Sequence, residues 1–163
     1  MAETSSVSTG NRPFEPDRFF LGKTQGGGIV RDLSGKLIER CKISTQGWYN
    51  SKLAAMHFDE TFVYEAGRTD ILNWTFIVDV EGRMTATEPT TLGAVQGWVD
   101  GEDYRLRFRR RGEPPLPSIP VTYDVRFSAV STDTVLKVAR LKLFGVTLGM
   151  MTAFHRRLDC PPA

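Results

Sequence analysis

Residues 24–40 read TQGGGIVRDLSGKLIER. A short apolar run is followed by Ser34-Gly35 and then by a second alternating segment, which is the pattern of a strand, a tight turn and a strand. The rest of the chain repeats this hairpin pattern, and its apolar residues recur with a period of two. Short strands at regular spacing predict an antiparallel barrel or sandwich, and consecutive hairpins favour an up-and-down β-barrel.

The chain as a whole predicts an all-β fold of about 8–10 strands with one short helical turn before them. Pro16 is suited to open that turn and Gly22 to end it, so residues 13–22 predict an apolar plug for one end of the barrel. Residues 48–52 are expected to form a turn. The first strand is expected from Thr24 to the Ser34-Gly35 turn, and the others at 36–47, 54–65, 69–80, 83–91, 94–99, 104–109, 121–131, 134–143 and 146–158.

Length and composition indicate one soluble domain. The 163 residues are enough for one well-filled core, with residues 1–12 predicted as a disordered tail, 13–158 as the barrel and 159–163 as a second tail. A formal net charge of +2 gives no bulk attraction to nucleic acid or to an anionic membrane. No apolar run approaches the roughly 18 residues of a transmembrane helix, so no membrane span is expected. The first residues lack a signal-peptide pattern. Cys41 and Cys160 suggest reduced thiols and a cytoplasmic protein, and neither a metal nor a cofactor is expected.

The glycines of the first strand do not form a nucleotide-binding loop. A phosphate-binding loop that ended at Gly22-Lys23 would need a glycine where Asp17 stands, and a dinucleotide fingerprint would need one where Arg31 stands. Two structural explanations remain for these glycines. A strand without side chains can bend sharply, or it can let a ligand or another backbone approach closely. The bend is the preferred interpretation.

Arginines alternate with apolar residues in the segment 104–109. Together with Arg110 and Arg111 they suggest a phosphate or nucleic-acid patch. The strict alternation instead favours a strand whose arginines solvate the outer face while Tyr104 and Phe108 point inward. The second interpretation is preferred, so nucleic acid is not expected as a partner.

Aromatic residues supply the strongest indication of a ligand. They recur on one face of several predicted strands, and a barrel of this size has more interior than they need to fill, which predicts a residual apolar cavity. The candidate ligand-binding residues are Phe58, Phe62, Trp74, Phe76, Trp98, Tyr104, Phe108, Tyr123 and Phe127.

Three residues are candidates for proton transfer, namely Glu60, Tyr64 and His57. Glu60 shares its face with aromatic residues, so two states are open for it. An isolated buried carboxyl would have a raised pKa and could exchange a proton, whereas an ion pair with Arg140 or Lys137 would make it structural. The ion pair is preferred. His57 shares its face with Asp59 and not with Glu60.

Several segments, from Phe19 to Arg157, carry a family resemblance. They are 20–23, 28–36, 59–67 with Trp74, 143–146 and 154–157. In these the chain resembles the bacterial domain-of-unknown-function 3833 family, a lipocalin-like (calycin) group, which implies a lipocalin-like barrel. It departs from the family where Gly27 replaces an aromatic residue, and that loss is expected to widen the cavity beside the first strand.

The leading hypothesis for function is binding of a small hydrophobic or amphipathic molecule inside the barrel. Glu60, Tyr64, Trp74, Trp98, Tyr104 and Tyr123 would set its specificity, and the loop 114–120 would cover the mouth. The alternative is a cofactor-free isomerase or cyclase that acts on an apolar biosynthetic intermediate in the same cavity. A third possibility is an interaction module that pairs through an exposed strand, for which a homodimer is the simplest form.

Overall fold

A computed structural model describes residues 13–81, 83–112 and 118–158. Within these residues, ten antiparallel strands form one sheet, and they follow a single four-residue helix, α1 (Pro16–Phe19). The strands are β1 (Gly22–Asp32), β2 (Leu37–Asn50), β3 (Ala55–Tyr64), β4 (Thr69–Val78), β5 (Met84–Thr87), β6 (Gln96–Asp100), β7 (Asp103–Arg111), β8 (Pro120–Ala129), β9 (Thr134–Leu143) and β10 (Val146–Arg157). The predicted all-β barrel with a short N-terminal helical turn is confirmed.

The sheet order is β5-β4-β3-β2-β1-β10-β9-β8-β7-β6. Strands that follow one another in sequence therefore pair, except β5 and β6, and one additional ladder, between β1 and β10, joins the first strand to the last. The two remaining edges, β5 and β6, come together without a ladder. The Leu92 amide donates to the Arg109 carbonyl at 2.7 Å beside this seam, so the barrel is nearly closed.

Two strand ends differ most from the sequence prediction. β2 continues through Trp48 and Tyr49 to Asn50, and the turn lies at 51–54. Aromatic residues favour strands, which explains why the predicted turn at 48–52 was wrong. β5 covers only 84–87 of the predicted 83–91, because Pro89 cannot donate a ladder hydrogen bond.

The glycines of β1 permit close contact between backbones. A Cβ added at Gly26 would lie 1.7 Å from the Phe154 carbonyl oxygen on β10, so no larger residue fits without a backbone shift. At Gly28 the nearest atoms are the Ala153 Cβ at 3.0 Å and the Cys41 Sγ at 3.3 Å. The glycines of β1 are therefore needed because a neighbouring strand approaches this strand closely.

The N-terminal segment closes one end of the barrel, as predicted. The fully buried Phe20 ring stacks on Phe58 at 4.5 Å between centroids and meets His155 edge-on at 5.3 Å. Phe14 stacks on Phe127 at 5.7 Å, and its amide donates to the Glu102 carbonyl. We call Phe14, α1 and Phe20 the plug. No helix among the described residues is long and apolar enough to cross a membrane.

Candidate functional site

A cavity of about 240 Å³ occupies the half of the barrel farthest from the plug. Its walls come from inward-facing positions of β1 to β4 and β7 to β10. The apolar part of the wall consists of Val30, Ile38, Phe62, Leu72, Phe108, Val125, Ala139, Leu141, Leu148 and Met151. The cavity opens at the end that holds the β1–β2, β3–β4 and β9–β10 turns, which we call the mouth.

Two ion pairs and a tyrosine surround the mouth. Arg110 donates to both carboxylate oxygens of Asp70, at 3.0 and 3.2 Å, and its Nε donates to the Thr90 hydroxyl at 2.8 Å. Arg68 donates to Glu39 at 3.1 Å. The Arg68 guanidinium also lies over the Tyr64 ring, 3.8 Å from its centroid. The polar groups of the mouth are thus fixed by one another before any ligand arrives.

At the floor of the cavity a charged pair is buried in the core. Lys137 donates a hydrogen bond to Glu60, and the indole of Trp74 donates to the other Glu60 oxygen at 3.3 Å. Glu60 is 2% exposed and Lys137 5%. Lys137 lines the cavity, whereas Glu60 lies behind it, outside the lining. The preferred prediction for Glu60, an ion pair with Lys137, is therefore what the structure contains.

His155 extends this pair toward the plug. Its Nε2 lies 3.4 Å from Glu60 without a hydrogen bond, and its Nδ1 lies 3.4 Å from the Thr24 hydroxyl, which in turn is 2.7 Å from the Thr45 hydroxyl. These groups and Trp74 are called the inner network. It joins β1, β2, β3, β4, β9 and β10 through polar contacts in the interior.

The protonation of the inner network follows from its surroundings. Burial alone would raise the pKa of Glu60, but the charge and hydrogen bond of Lys137, with His155 nearby, lower it to about 2. Burial lowers the pKa of His155, because the surrounding core disfavours the imidazolium. Near neutral pH the network therefore holds a carboxylate and a neutral imidazole, and the alternative of a Glu60 with a raised pKa is wrong.

These shifts predict that the protein loses stability in acid. A His pKa below its ordinary 6.5 means that the unfolded chain binds the proton first, so stability falls as the pH drops below 6.5. The lowered pKa of Glu60 adds a second loss between 4.5 and about 2. Urea unfolding at a series of pH values should show both losses. A Glu60→Gln variant should lack the lower one, and identical pH profiles for the two proteins would contradict this assignment.

The sequence-predicted ligand residues divide into three groups. Phe62, Phe108 and Tyr123 line the cavity. Trp98 lies on the outer face, under Arg105 and Arg107. The others pack the core between the cavity and the plug, and they are Phe58, Trp74, Phe76, Tyr104 and Phe127. The cavity therefore uses only a part of the aromatic set.

The three candidates for proton transfer do not come together. Tyr64 lines the cavity near the mouth, and burial raises its pKa despite Arg68 beside it. Glu60 lies in the inner network. His57 lies on the outer face, where its Nδ1 is 2.9 Å from the Thr75 hydroxyl and its ring stacks on Trp48. His57 therefore reaches neither Glu60 nor the cavity.

Gly27 does not border the cavity. A side chain there would point outward, toward the half-exposed Phe154 ring at 3.8 Å. β1 reaches the cavity farther along, from Val30 to Asp32. The expected widening beside Gly27 is therefore wrong. The loop 114–120 was predicted to cover the mouth. Residues 114–117 of this loop lie outside the described residues.

Sequence reasoning missed Arg110 and Asp70 as cavity residues. Arg110 shares its face of β7 with Tyr104, Leu106 and Phe108, and all four are buried. If the strict alternation of the strand is continued to the residue after Arg109, Arg110 falls on the inward face. Asp70 stands two residues before the inward Leu72 on β4, so the same rule applies to it. The outward direction predicted for Arg105, Arg107 and Arg109 agrees with the alternation of exposure along β7.

Replacement of Arg110 by leucine should destabilise the folded protein, because it breaks the buried ion pair at the mouth. It leaves the Asp70 carboxylate without its two hydrogen bonds in a position where only 15% of that side chain is exposed, and we expect a loss of about 1–3 kcal/mol in the free energy of unfolding. Arg107→Leu is the matched control on the same strand, because Arg107 is half-exposed and its partner Asp124 also pairs with Lys142. Equal losses from both variants in urea would contradict the role of the buried pair.

The comparisons with known proteins agree with this architecture. Residues 2–157 match the model of a family described as "Protein of unknown function (DUF3833)". The chain belongs to the DUF3833 family. The family resemblance of the sequence is thereby confirmed. No curated protein matches the chain significantly in sequence.

Two solved structures share the barrel. The S-type phycobiliprotein lyase from Guillardia theta is 7% identical with a TM-score of 0.56, covering 89% of this chain and 92% of that one. A DUF3598-family protein of unknown function from Nostoc punctiforme is 12% identical with a TM-score of 0.60. The match covers 90% of this DUF3833 chain and 51% of that structure. At these identities the likeness shows the fold alone.

Proposed function

We propose that this DUF3833 barrel binds one small, electrically neutral molecule with an apolar body and a polar end. The observation that carries the proposal is the cavity of about 240 Å³ with an apolar wall and a polar mouth. An engineered apolar cavity of about 150 Å³ admits benzene. The volume here suits a ligand of about one or two fused rings or a short branched chain.

The charges around the cavity argue for a neutral ligand. Arg110 is paired with Asp70, Arg68 with Glu39, and Lys137 with Glu60. A carboxylate or ammonium group held at one of these residues would have to displace its partner and leave a charge unpaired in a poorly hydrated place, which is costly. A hydroxyl, carbonyl or ether group needs no such displacement.

Two donors favour a hydrogen-bond acceptor on the ligand. Burial keeps the Tyr64 hydroxyl protonated near the mouth. At the floor, Lys137 has three N–H bonds, and its Nζ faces the Phe62 and Phe127 rings at 5.0 and 5.6 Å from their centroids in addition to Glu60. A ligand oxygen that reaches the floor would meet this donor in an apolar setting, where a hydrogen bond is strong.

Binding is better supported than the isomerase or cyclase alternative. A general base works best with a pKa near the operating pH, whereas the pKa of Glu60 is about 2 and its oxygens are held by Lys137 and Trp74. The raised pKa of Tyr64 keeps its hydroxyl protonated, so it is not available to accept a proton near neutral pH. His57 faces away from the cavity.

The test is native mass spectrometry and organic extraction of protein purified from its own host. We expect a small neutral molecule that copurifies with the wild type and is absent from Ala139→Phe, because Ala139 lines the cavity and is 4% exposed. Ala129→Phe, at an exposed position of β8, is the matched control. A charged ligand, or equal retention by both variants, would contradict the proposal.

A further inference from the structure

The rim of the mouth exposes large apolar side chains. Phe144, in the β9–β10 turn, is 92% exposed, and Leu33, in the β1–β2 turn, is 68% exposed. Val146 and Ile38 beside them are 61% and 45% exposed. Because β1 pairs with β10 up to Asp32 and Gly149, the two turns are neighbours, and these four residues form one apolar rim.

Phe144 also has an unfavourable backbone. Its φ is +49°, in the left-handed region that bulky residues rarely adopt. The position would be easier for glycine or asparagine. A phenylalanine that is both strained and almost wholly exposed contributes little to folding, and such outliers are concentrated at functional positions.

The charge distribution separates the rim from the other end of the barrel. Arg31 and Lys36 flank the β1–β2 turn and Arg111 ends β7 at the mouth, and all three are exposed. None of them forms a salt bridge within residues 13–81, 83–112 and 118–158. The turns at the plug end carry mainly acidic residues, and arginines pair with most of them. The acidic residues are Asp79, Glu81, Asp100, Glu102, Asp103 and Asp133.

We propose that the apolar rim docks the mouth onto an anionic lipid bilayer. Phe144 and Leu33 enter the headgroup region, while Arg31, Lys36 and Arg111 face lipid phosphates. Aromatic and leucine side chains beside basic residues are the combination that holds proteins at a membrane interface. The apolar rim and these basic residues lie at the end where the cavity opens, so docking orients the barrel with its cavity open toward the lipid.

The test is cosedimentation with vesicles of phosphatidylcholine alone and of phosphatidylcholine with phosphatidylglycerol. We expect binding to the anionic vesicles that falls at higher salt. The double variant Leu33→Ser/Phe144→Ser should bind at least about tenfold more weakly, because each side chain is worth roughly a factor of ten or more when buried. Leu53→Ser/Val80→Ser is the matched control, since both residues are equally exposed at the plug end, and it should bind as the wild type does.

Three outcomes would overturn the docking proposal. One is a wild-type protein that stays in the supernatant with both vesicles. Another is an equal loss of binding in the control. The third is a dimer, seen by sedimentation velocity, that Leu33→Ser/Phe144→Ser dissociates, which would assign the rim to a second copy. The cavity variant Ala139→Phe should still bind vesicles, so a failure of the ligand proposal remains distinguishable.

Discussion

Replacement of Lys137 by methionine is expected to destabilise the protein by about 3–5 kcal/mol. Methionine keeps the apolar stem but removes the charge that compensates Glu60, a carboxylate with 2% of its surface exposed. Trp74 and His155 cannot replace that charge, since one is a neutral donor at 3.3 Å and the other a neutral imidazole. Urea unfolding monitored by tryptophan fluorescence measures the loss.

Two further variants show whether the loss comes from the unpaired charge. The double variant Glu60→Gln/Lys137→Met removes both charges and keeps an acceptor for Trp74, so it should recover at least about half of the lost free energy. Arg140→Met, an exposed position on the same strand, should cost less than about 0.5 kcal/mol. A double variant no more stable than Lys137→Met would contradict the charge-pair explanation.

Truncation of Phe20 to alanine is expected to cost about 3–5 kcal/mol. Its ring is fully buried and contacts four other aromatic rings and His155. Alanine would leave a hole between the plug and the inner network. Thermal and urea unfolding measure the loss, and Phe154→Ala, which removes a half-exposed ring from the outer face, is the matched control.

The same variant separates stability from binding. Phe20 contributes nothing to the lining of the cavity, so folded Phe20→Ala protein should keep wild-type affinity for a ligand at temperatures well below its unfolding transition. A cost below about 1 kcal/mol, or a large loss of ligand affinity in folded protein, would show that the plug and the cavity are not organised as described.

The strands could be predicted because their signals are local. Thr134 to Leu143 was predicted to the residue, since alternating apolar positions are bounded by turn residues at both ends. The end of β2 was missed because Trp48 and Tyr49 are good strand formers next to a polar turn. A plug at residues 13–22 was also predictable, because prolines and clustered phenylalanines suit neither a strand nor a long helix.

The position of the cavity could not be predicted from the sequence. Alternation tells which side chains point inward, but the interior is filled unevenly along the barrel axis. Phe58, Trp74 and Phe76 pack against one another near the plug, whereas the mouth half has Ala139 and several aliphatic residues. The state of Glu60 likewise depended on Lys137, 77 residues away in sequence, so only the fold could decide between an ion pair and a raised pKa.

The most direct test of a neutral-ligand cavity is a titration with two probes that differ only in charge. Binding of 1-naphthol and of 1-naphthoate can be followed by heteronuclear NMR on the wild type and on Ala139→Phe. We predict that 1-naphthol shifts resonances of Leu72, Ala139 and Met151 in the wild type alone. We also predict that 1-naphthoate binds at least about tenfold more weakly, because Arg68, Arg110 and Lys137 are already paired with carboxylates. Equal or tighter binding of 1-naphthoate, or unchanged binding of 1-naphthol by Ala139→Phe, would contradict the account.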